Sequence, residues 1–381
     1  MENKKILIID ETLREGMQYR GVMFCLEQRM KILEFQEALG VDICQAGYPP
    51  AHVHEAAVVK TLFEEGQKRG YRVRVAGMGR AHARDAGILV RTGILDIHFH
   101  LHISPQAGPN AVNAVLSDLL KPVEEVRKKE PRAVISIAML DIGRTGPDVL
   151  GHCVSFLSRH RIDIISLPDT SGMMAPNQVF DIISRLSALA GNSMLSIHCH
   201  NDLGMASANS VMGILAGGLV LEASVLGIGE RNGIADLYTT ARVLKDQGFE
   251  MALRTDNQDL FRQYYDYVDA IVFEQTGRHR MNTDTPVFGT AAGTHTAGTH
   301  AGGGFGLSPE ADFHLNILCG RGLVQKYLTL HHLDCPAELL DVLTQDVKSE
   351  SIRLNRCLTL PEIETLVSKN QRPDLMPEIE Q

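Results

Sequence analysis

Tryptophan is absent from this 381-residue chain, and aromatic side chains of all kinds make up only 5% of it. Extended stacking of nucleobases needs a row of such rings, so it is excluded as a main activity. No run of about 18 apolar residues occurs, and no membrane-spanning helix is expected. Basic blocks are missing as well. The net charge is −9, from 46 acidic and 37 basic side chains, and that balance argues against nucleic acid as a partner. The seven cysteines are scattered, odd in number and never spaced Cys-x-x-Cys, which reads as reduced thiols in a cytoplasm. The opening residues run straight into Ile6-Leu7-Ile8-Ile9 without the layout of a signal peptide. These absences leave a cytoplasmic globular protein of the kind that acts on small molecules.

What is present is a regular alternation. Short apolar, β-branched runs recur at 5–9, 41–46, 72–76, 95–103, 133–138, 162–167, 194–200 and 219–226. Amphipathic stretches lie between them, at 26–39, 54–67, 81–90, 111–128, 149–159, 178–189 and 206–216. The fold class is therefore α/β, and eight such units predict a (β/α)8 TIM barrel with strands buried on both faces. An open doubly wound sheet uses the same alternation. The count of eight speaks against it, and so does polar chemistry that falls repeatedly at strand C-termini. Three regions follow: a barrel domain over 1–255, a glycine-, threonine- and histidine-rich segment over 256–307, and a small helical region over 308–381.

The strand at 194–200 ends in His198-Cys199-His200. Residues i and i+2 of a strand share a face, so both imidazoles leave the strand end in one direction, at a spacing that one metal ion can bridge. Asn201 and Asp202 then offer capping chemistry to the next helix. Alone, the pattern reads equally as two polar residues at a strand edge. The first strand ends in Asp10-Glu11-Thr12-Leu13-Arg14-Glu15-Gly16-Met17-Gln18, at the same mouth of the barrel. One carboxylate and two imidazoles leave coordination positions open for substrate and water, as a catalytic Lewis acid requires. The plainer reading of the acids beside Arg14 is a salt bridge.

The segment 10–18 resembles the signature Asp-x-Thr-Leu-Arg-(Asp/Glu)-Gly-x-Gln of the metal-dependent DRE-TIM barrels that include isopropylmalate synthase, homocitrate synthase and hydroxymethylglutaryl-CoA lyase. His198 to Gly204 is similar to that family's second motif, and Val225 to Gly233 resembles the third in the form of the acyl-CoA condensing branch. Pro168-Asp169-Thr170-Ser171-Gly172 with Pro176 looks like the family's strand-six motif, and 289–300 looks like the histidine segment that follows the barrel in condensing enzymes. The resemblance implies a divalent metal (Zn2+, Mn2+ or Mg2+) on Glu15, His198 and His200. It implies Arg14 as the stabiliser of a developing oxyanion, with Gln18, Gln45, His102, Ser104, Arg144, Thr170 and Asn201 around the substrate, Arg144 gripping a carboxylate. His295 and His300 would serve the deprotonation of acetyl-CoA, with Glu230 at the mouth of strand eight. The implied reaction joins an acyl-CoA to a 2-oxo acid and hydrolyses the thioester, with the Gly-Ile-Gly-Glu-Arg-Asn-Gly loop nearest to homocitrate synthases. A homodimer is implied, the post-barrel segment of one subunit completing the other's site.

The chain departs from the condensing pattern where Met17 replaces a glutamate, Gln45 replaces the strand-two glutamate, and Leu140 stands at the acidic position of strand five. Each change removes negative charge, and an amide at 45 cannot act as a base. A lyase or aldolase of the same superfamily is the alternative, disfavoured because no cysteine lies in the strand-eight loop. A metabolite-binding regulator without catalysis is the third reading. Glu230 and Arg231 read equally as a structural ion pair. His98, His100 and His102 alternate along strand four, but only His102 is expected at the mouth.

Overall fold

The computed structural model describes residues 4–104, 107–296 and 312–371. Eight parallel strands close on themselves: β1 Leu7–Asp10, β2 Ile43–Gly47, β3 Arg74–Arg80, β4 Asp96–Leu101, β5 Val134–Met139, β6 Ile164–Asp169, β7 Met194–Cys199 and β8 Val220–Ala223. Closure is made by β1 against β8, from Leu7 opposite Val220 to Asp10 opposite Ala223. The helices between them are α1 Leu26–Leu39, α2 Val53–Lys68, α3 Ala83–Arg91, α4 Pro109–Lys129, α5 Pro147–Arg159, α6 Pro176–Ser187 and α7 Ala206–Leu215, with α8 Leu237–Asp246 after β8. The alternation read from the sequence is thus a (β/α)8 barrel. Helix α8 is absent from the sequence reading. Its start is nonetheless marked, since Asp236 Oδ1 accepts the Thr239 N–H at 2.9 Å.

Period two along the strands stacks the interior in layers. At the floor, Ile9, Ile43, Ala76, Ile164 and Val220 pack together, with Leu7, Val134 and Met194 against them. Two residues further along the same strands come Glu11, Gln45, His98, Ser166, Ser196 and Glu222, all buried. Two residues further again, His100, Ala138, Pro168 and His198 line an open cavity. An apolar floor therefore carries a polar layer, and the polar layer carries the mouth. Such a layer is tolerated only because its members hydrogen-bond one another.

Helix α9, Gln258–Thr276, packs on α1, where the rings of Phe35 and Tyr264 stack at 5.2 Å. The first compact unit accordingly runs to Arg280, beyond the residue 255 read from the sequence. The second unit, from Met281, contains a two-residue parallel pair, β9 Thr294–His295 with β10 Asp312–Phe313. It also holds α10 Arg321–Leu330, α11 Leu340–Leu354 and α12 Leu360–Asn370, around a core that includes Leu315, Leu323, Val324, Leu343, Val347 and Ile363. None of the described helices is long and apolar enough to cross a membrane.

Candidate active site

The turn that leaves β1 is held from below. Asp10 is fully buried; its Oδ1 accepts the Thr12 N–H at 2.8 Å and the Thr12 hydroxyl at 2.5 Å, and its Oδ2 accepts the Tyr264 hydroxyl at 2.9 Å. Thr12 Oγ1 in turn accepts the Val225 N–H at 2.9 Å, which ties the end of β1 to the loop after β8. Asp10 therefore shapes the turn and leaves Arg14 and Glu15 to face the cavity.

Arg14 is the hub. Its Nη2 donates to Glu11 Oε2 and its Nη1 to Gln18 Oε1, each at 3.0 Å. It also donates to Glu15 Oε2 and, through Nε, to Gln45 Oε1. Gln45 continues the chain inward, its Nε2 lying 2.9 Å from His98 Nδ1. Where the family pattern has a glutamate at 17, the Met17 sulfur sits 3.2 Å from Nη2 of the buried Arg29. The charge of Arg29 is met by Glu55, at 2.8 and 3.0 Å.

His198 lies between two acids on one side and a second imidazole on the other. Its Nδ1 is 3.0 Å from Glu222 Oε2 and 3.1 Å from Glu11 Oε2, while its Nε2 is 3.4 Å from His200 Nε2. The Ser196 hydroxyl donates to Glu222 Oε1 at 2.6 Å. Burial opposes a charge on His198, but the Glu11 and Glu222 carboxylates outweigh it and raise the imidazole to about 10. Burial, together with the cation at His198, pushes His200 down to about 3. Glu222 is also resisted by burial, yet its bonds from His198 and Ser196 hold it far below the usual carboxylate range. At Glu15 burial is likewise outweighed, by Arg14 first and then His198, and its carboxyl is lowered.

These shifts carry a pH prediction for protein stripped of divalent ions. A histidine raised from 6.5 to about 10 on folding stabilises fully below 6.5, and that contribution is lost as pH rises through 10. Urea midpoints measured in a chelator should fall between pH 7 and pH 10, and Glu222→Gln should flatten the fall. An unchanged slope in the variant would dismiss the pairing as its cause.

Two ring nitrogens facing each other at 3.4 Å fit a shared cation. Each about 2.0–2.1 Å from one ion at a tetrahedral angle, they would be about 3.3 Å apart. Buried acids beside them supply the negative charge that such an ion needs. The acids that meet His198 are Glu11 and Glu222, and these three form the cluster of potential ligands among the described residues. Glu15, expected beside the two histidines, is held instead by Arg14 and by the Glu230 N–H, which donates to its Oε1 at 3.0 Å. Since His198 turns Nδ1 to the acids and Nε2 to His200, we read Glu11 and Glu222 as holding the ring, with the ion-facing nitrogens on the other side.

Of the other residues expected at the site, Gln18, Thr170 and Glu230 line the cavity of about 640 Å³ with Arg14, Glu15, His198 and His200. Gln45 is buried beneath Arg14. Asn201 accepts the Ala206 N–H at 3.1 Å and so begins α7, while Asp202 pairs with Arg231 at 2.8 and 2.9 Å. The Arg231–Glu230 contact is longer, 3.6 Å. Arg144 is 69% exposed and pairs with Asp141 at 2.6 Å, outside the cavity lining. His102 and Ser104 lie exposed beyond β4; His100, not His102, is the strand-four histidine that lines the cavity, at 3.0 Å from the Tyr48 hydroxyl. His295 belongs to the second unit, and His300 lies outside the described residues. Gly233, at φ +90°, lies so close to the loop's start that a Cβ would meet the Gly227 carbonyl oxygen at 1.8 Å. That glycine is required by packing.

Glu11 and Glu222 have no site role in the sequence reading, whereas His98, read there on strand four behind the mouth, is buried in the polar layer. For Glu222 a signal existed, an acid at a strand position whose neighbours two residues away face the interior.

The chain is similar to known proteins in sequence and in fold. The chain is 33% identical over 305 residues to the 2-isopropylmalate synthase of Sulfurisphaera tokodaii, spanning 79% of this chain and 75% of the relative. It is 28% identical over 296 residues to the homocitrate synthase of Pyrococcus abyssi, spanning 77% and 78%. The hydroxymethylglutaryl-CoA lyase of Bacillus subtilis shares the fold, with a TM-score of 0.60 at 18% identity over 73% of this chain and 96% of that one. Residues 5–264 match the HMGL-like family. With that match and the barrel it covers, the chain belongs to the HMGL-like family of (β/α)8 enzymes.

Proposed function

We propose that this enzyme condenses an acyl-CoA, acetyl-CoA in the first instance, with a 2-oxo acid, and then hydrolyses the thioester. The observation that carries this reading is the facing pair His198 and His200 beside Arg14, in one cavity with the buried Glu15 and Glu222. A divalent ion held by His198 and His200, with Glu15 exchanging its bond from Arg14 for the ion, would polarise the ketone of the oxo acid as a Lewis acid. Arg14 stands where the ketone oxygen gains charge, and a planar, permanent cation suits that task. Gln45 and Gln18 fix the guanidinium, and Glu11 and Glu222 fix the His198 ring. Proton removal from the acyl methyl we assign to His295 or His300 of a second copy of the chain. The resulting carbanion attacks the ketone carbon, forming one C–C bond as the C=O π pair moves to the oxygen, which takes up a proton to become the product hydroxyl. Water then cleaves the thioester, releasing CoA thiol and a carboxylate.

The lining favours an oxo acid with an apolar side chain. Met17, Met23, Met78, Ala138, Leu140 and Pro168 form much of the wall. Arg14 is already engaged by Glu11 and Glu15, and Arg144 lies outside the lining, so a second carboxylate finds no uncommitted arginine among the lining residues. The replacement of acids at 17, 45 and 140 removes negative charge but adds no cation, so it supplies no partner for a second carboxylate. This supports 2-oxoisovalerate over 2-oxoglutarate, the substrate toward which the strand-eight loop alone leans.

The test is CoA thiol release from acetyl-CoA across a panel of 2-oxo acids, with and without Mn2+ or Zn2+. Release that depends on one oxo acid and on metal, and that disappears in Glu15→Ala, supports the reading. Silence across the panel with metal bound, together with cleavage of a 3-hydroxyacyl-CoA, would replace it with the lyase direction.

A further inference from the structure

A second cavity, of about 480 Å³, adjoins the first, and Ala51 and His52 line both. It is a groove between the start of α2 and the face of α3, walled by Pro49, Pro50 and Ile88. Its charged lining is all of one sign: Lys60 from α2 with Arg84 and Arg91 from α3. Arg84 and Arg91 are seven residues apart, two helical turns, and so share a face. All three are exposed. Lys60 is partly offset by Glu64 at 3.6 Å, but neither arginine has an ion-pair partner among the described residues. The first turn of the sixteen-residue α2, where His52 Nδ1 accepts the His54 N–H at 3.1 Å, also lines the groove. Three cations gathered in a concave site on a protein of net charge −9 mark a place built for an anion with more than one charge.

We propose that this groove holds the phosphates of the acyl carrier, the 3′-phospho-ADP end of acetyl-CoA, while the thioester end reaches the catalytic cavity past Ala51 and His52. The inference rests on the condensing reading above for its substrate, although the groove would bind the same phosphate chemistry in a free nucleotide. Recognition this far from the reacting carbon anchors the substrate through charge and leaves the bond-making groups unchanged.

The experiment compares Arg84→Glu/Arg91→Gln with the parent protein on two thioesters, acetyl-CoA and acetyl-pantetheine, which lacks the nucleotide. The variant should raise the KM for acetyl-CoA roughly tenfold or more, leave the KM for acetyl-pantetheine unchanged, and flatten the salt dependence of the former. Equal effects on both thioesters, or no effect on either, would overturn the proposal. Calorimetry with 3′-phospho-ADP reads the groove without turnover: binding to the parent that is lost in the variant supports it, and binding to both alike overturns it. Competition of 3′-phospho-ADP with acetyl-CoA identifies the groove as the carrier's; modulation of acetyl-pantetheine turnover would instead overturn that assignment in favour of a free-nucleotide site. A parent that binds 3′-phospho-ADP through the groove yet condenses no oxo acid would refute the condensing reading alone. Thermal melts of the variant serve as the folding control, since both positions are on the surface.

Discussion

Arg14→Gln is expected to lower kcat by roughly 10²- to 10³-fold, the usual loss when one donor to a developing oxyanion is removed. The same substitution should not weaken the divalent ion. Arg14 places a positive charge beside Glu11 and Glu15, and its removal leaves those carboxylates more attractive to a cation. Falling kcat with unchanged or tighter metal binding, read by thiol release and by calorimetry, is therefore the signature of its role. A parallel loss of both would show that Arg14 holds the site together and does nothing more. Arg14→Lys sharpens the comparison: it keeps the charge but loses the fork that reaches Glu11, Glu15, Gln18 and Gln45 at once, so its activity should lie well below the parent's.

The second large effect concerns the acids behind His198. In His198→Ala, Glu11 and Glu222 lose the imidazole they share at 3.1 and 3.0 Å. Removing one member of a buried ionic cluster costs about 3–5 kcal/mol. Chemical denaturation of metal-free protein at neutral pH should show that loss, and metal binding should vanish with it. Glu222→Gln is the gentler probe. It retains a hydrogen-bonding partner for the ring but removes the charge, and roughly 10- to 100-fold weaker metal binding is expected. Full affinity in Glu222→Gln would mean that His198 needs no acid to orient it.

Much of the barrel was legible because its strands are buried on both faces and interrupted at even intervals. A β-branched run such as 162–167, followed by Pro176 and an amphipathic stretch, admits few other readings. Helix α8 was legible too, since Leu237, Tyr238, Ala241 and Leu244 keep a helical period and Asp236 caps its start. At the site, Arg14, His198 and His200 were readable because the motif residues are adjacent in sequence. The contacts of Glu11 and Glu222 were not, since they depend on strands β1, β7 and β8 being brought side by side by closure. His102 illustrates the commonest source of error. Alternation along β4 placed His98 and His100 on the inward face, but the strand ends at Leu101, which leaves His102 exposed beyond it, and one residue pair of misjudged length exchanged His100 for His102. Arg144 shows a different limit: a cation near a predicted mouth reads as a substrate clamp until its partner, Asp141, is seen beside it.

The apolar floor of Ile9, Ile43, Ala76, Ile164 and Val220 has a consequence for traffic. A barrel sealed at one end has a single door, and whatever binds nearest the floor must enter first and leave last. If the oxo acid occupies the depth beside Arg14 and the histidines, a bulky thioester arriving ahead of it would bar its way. Initial-rate patterns should then show an obligatory order, oxo acid before acyl donor, and excess thioester should slow turnover by queueing at the door.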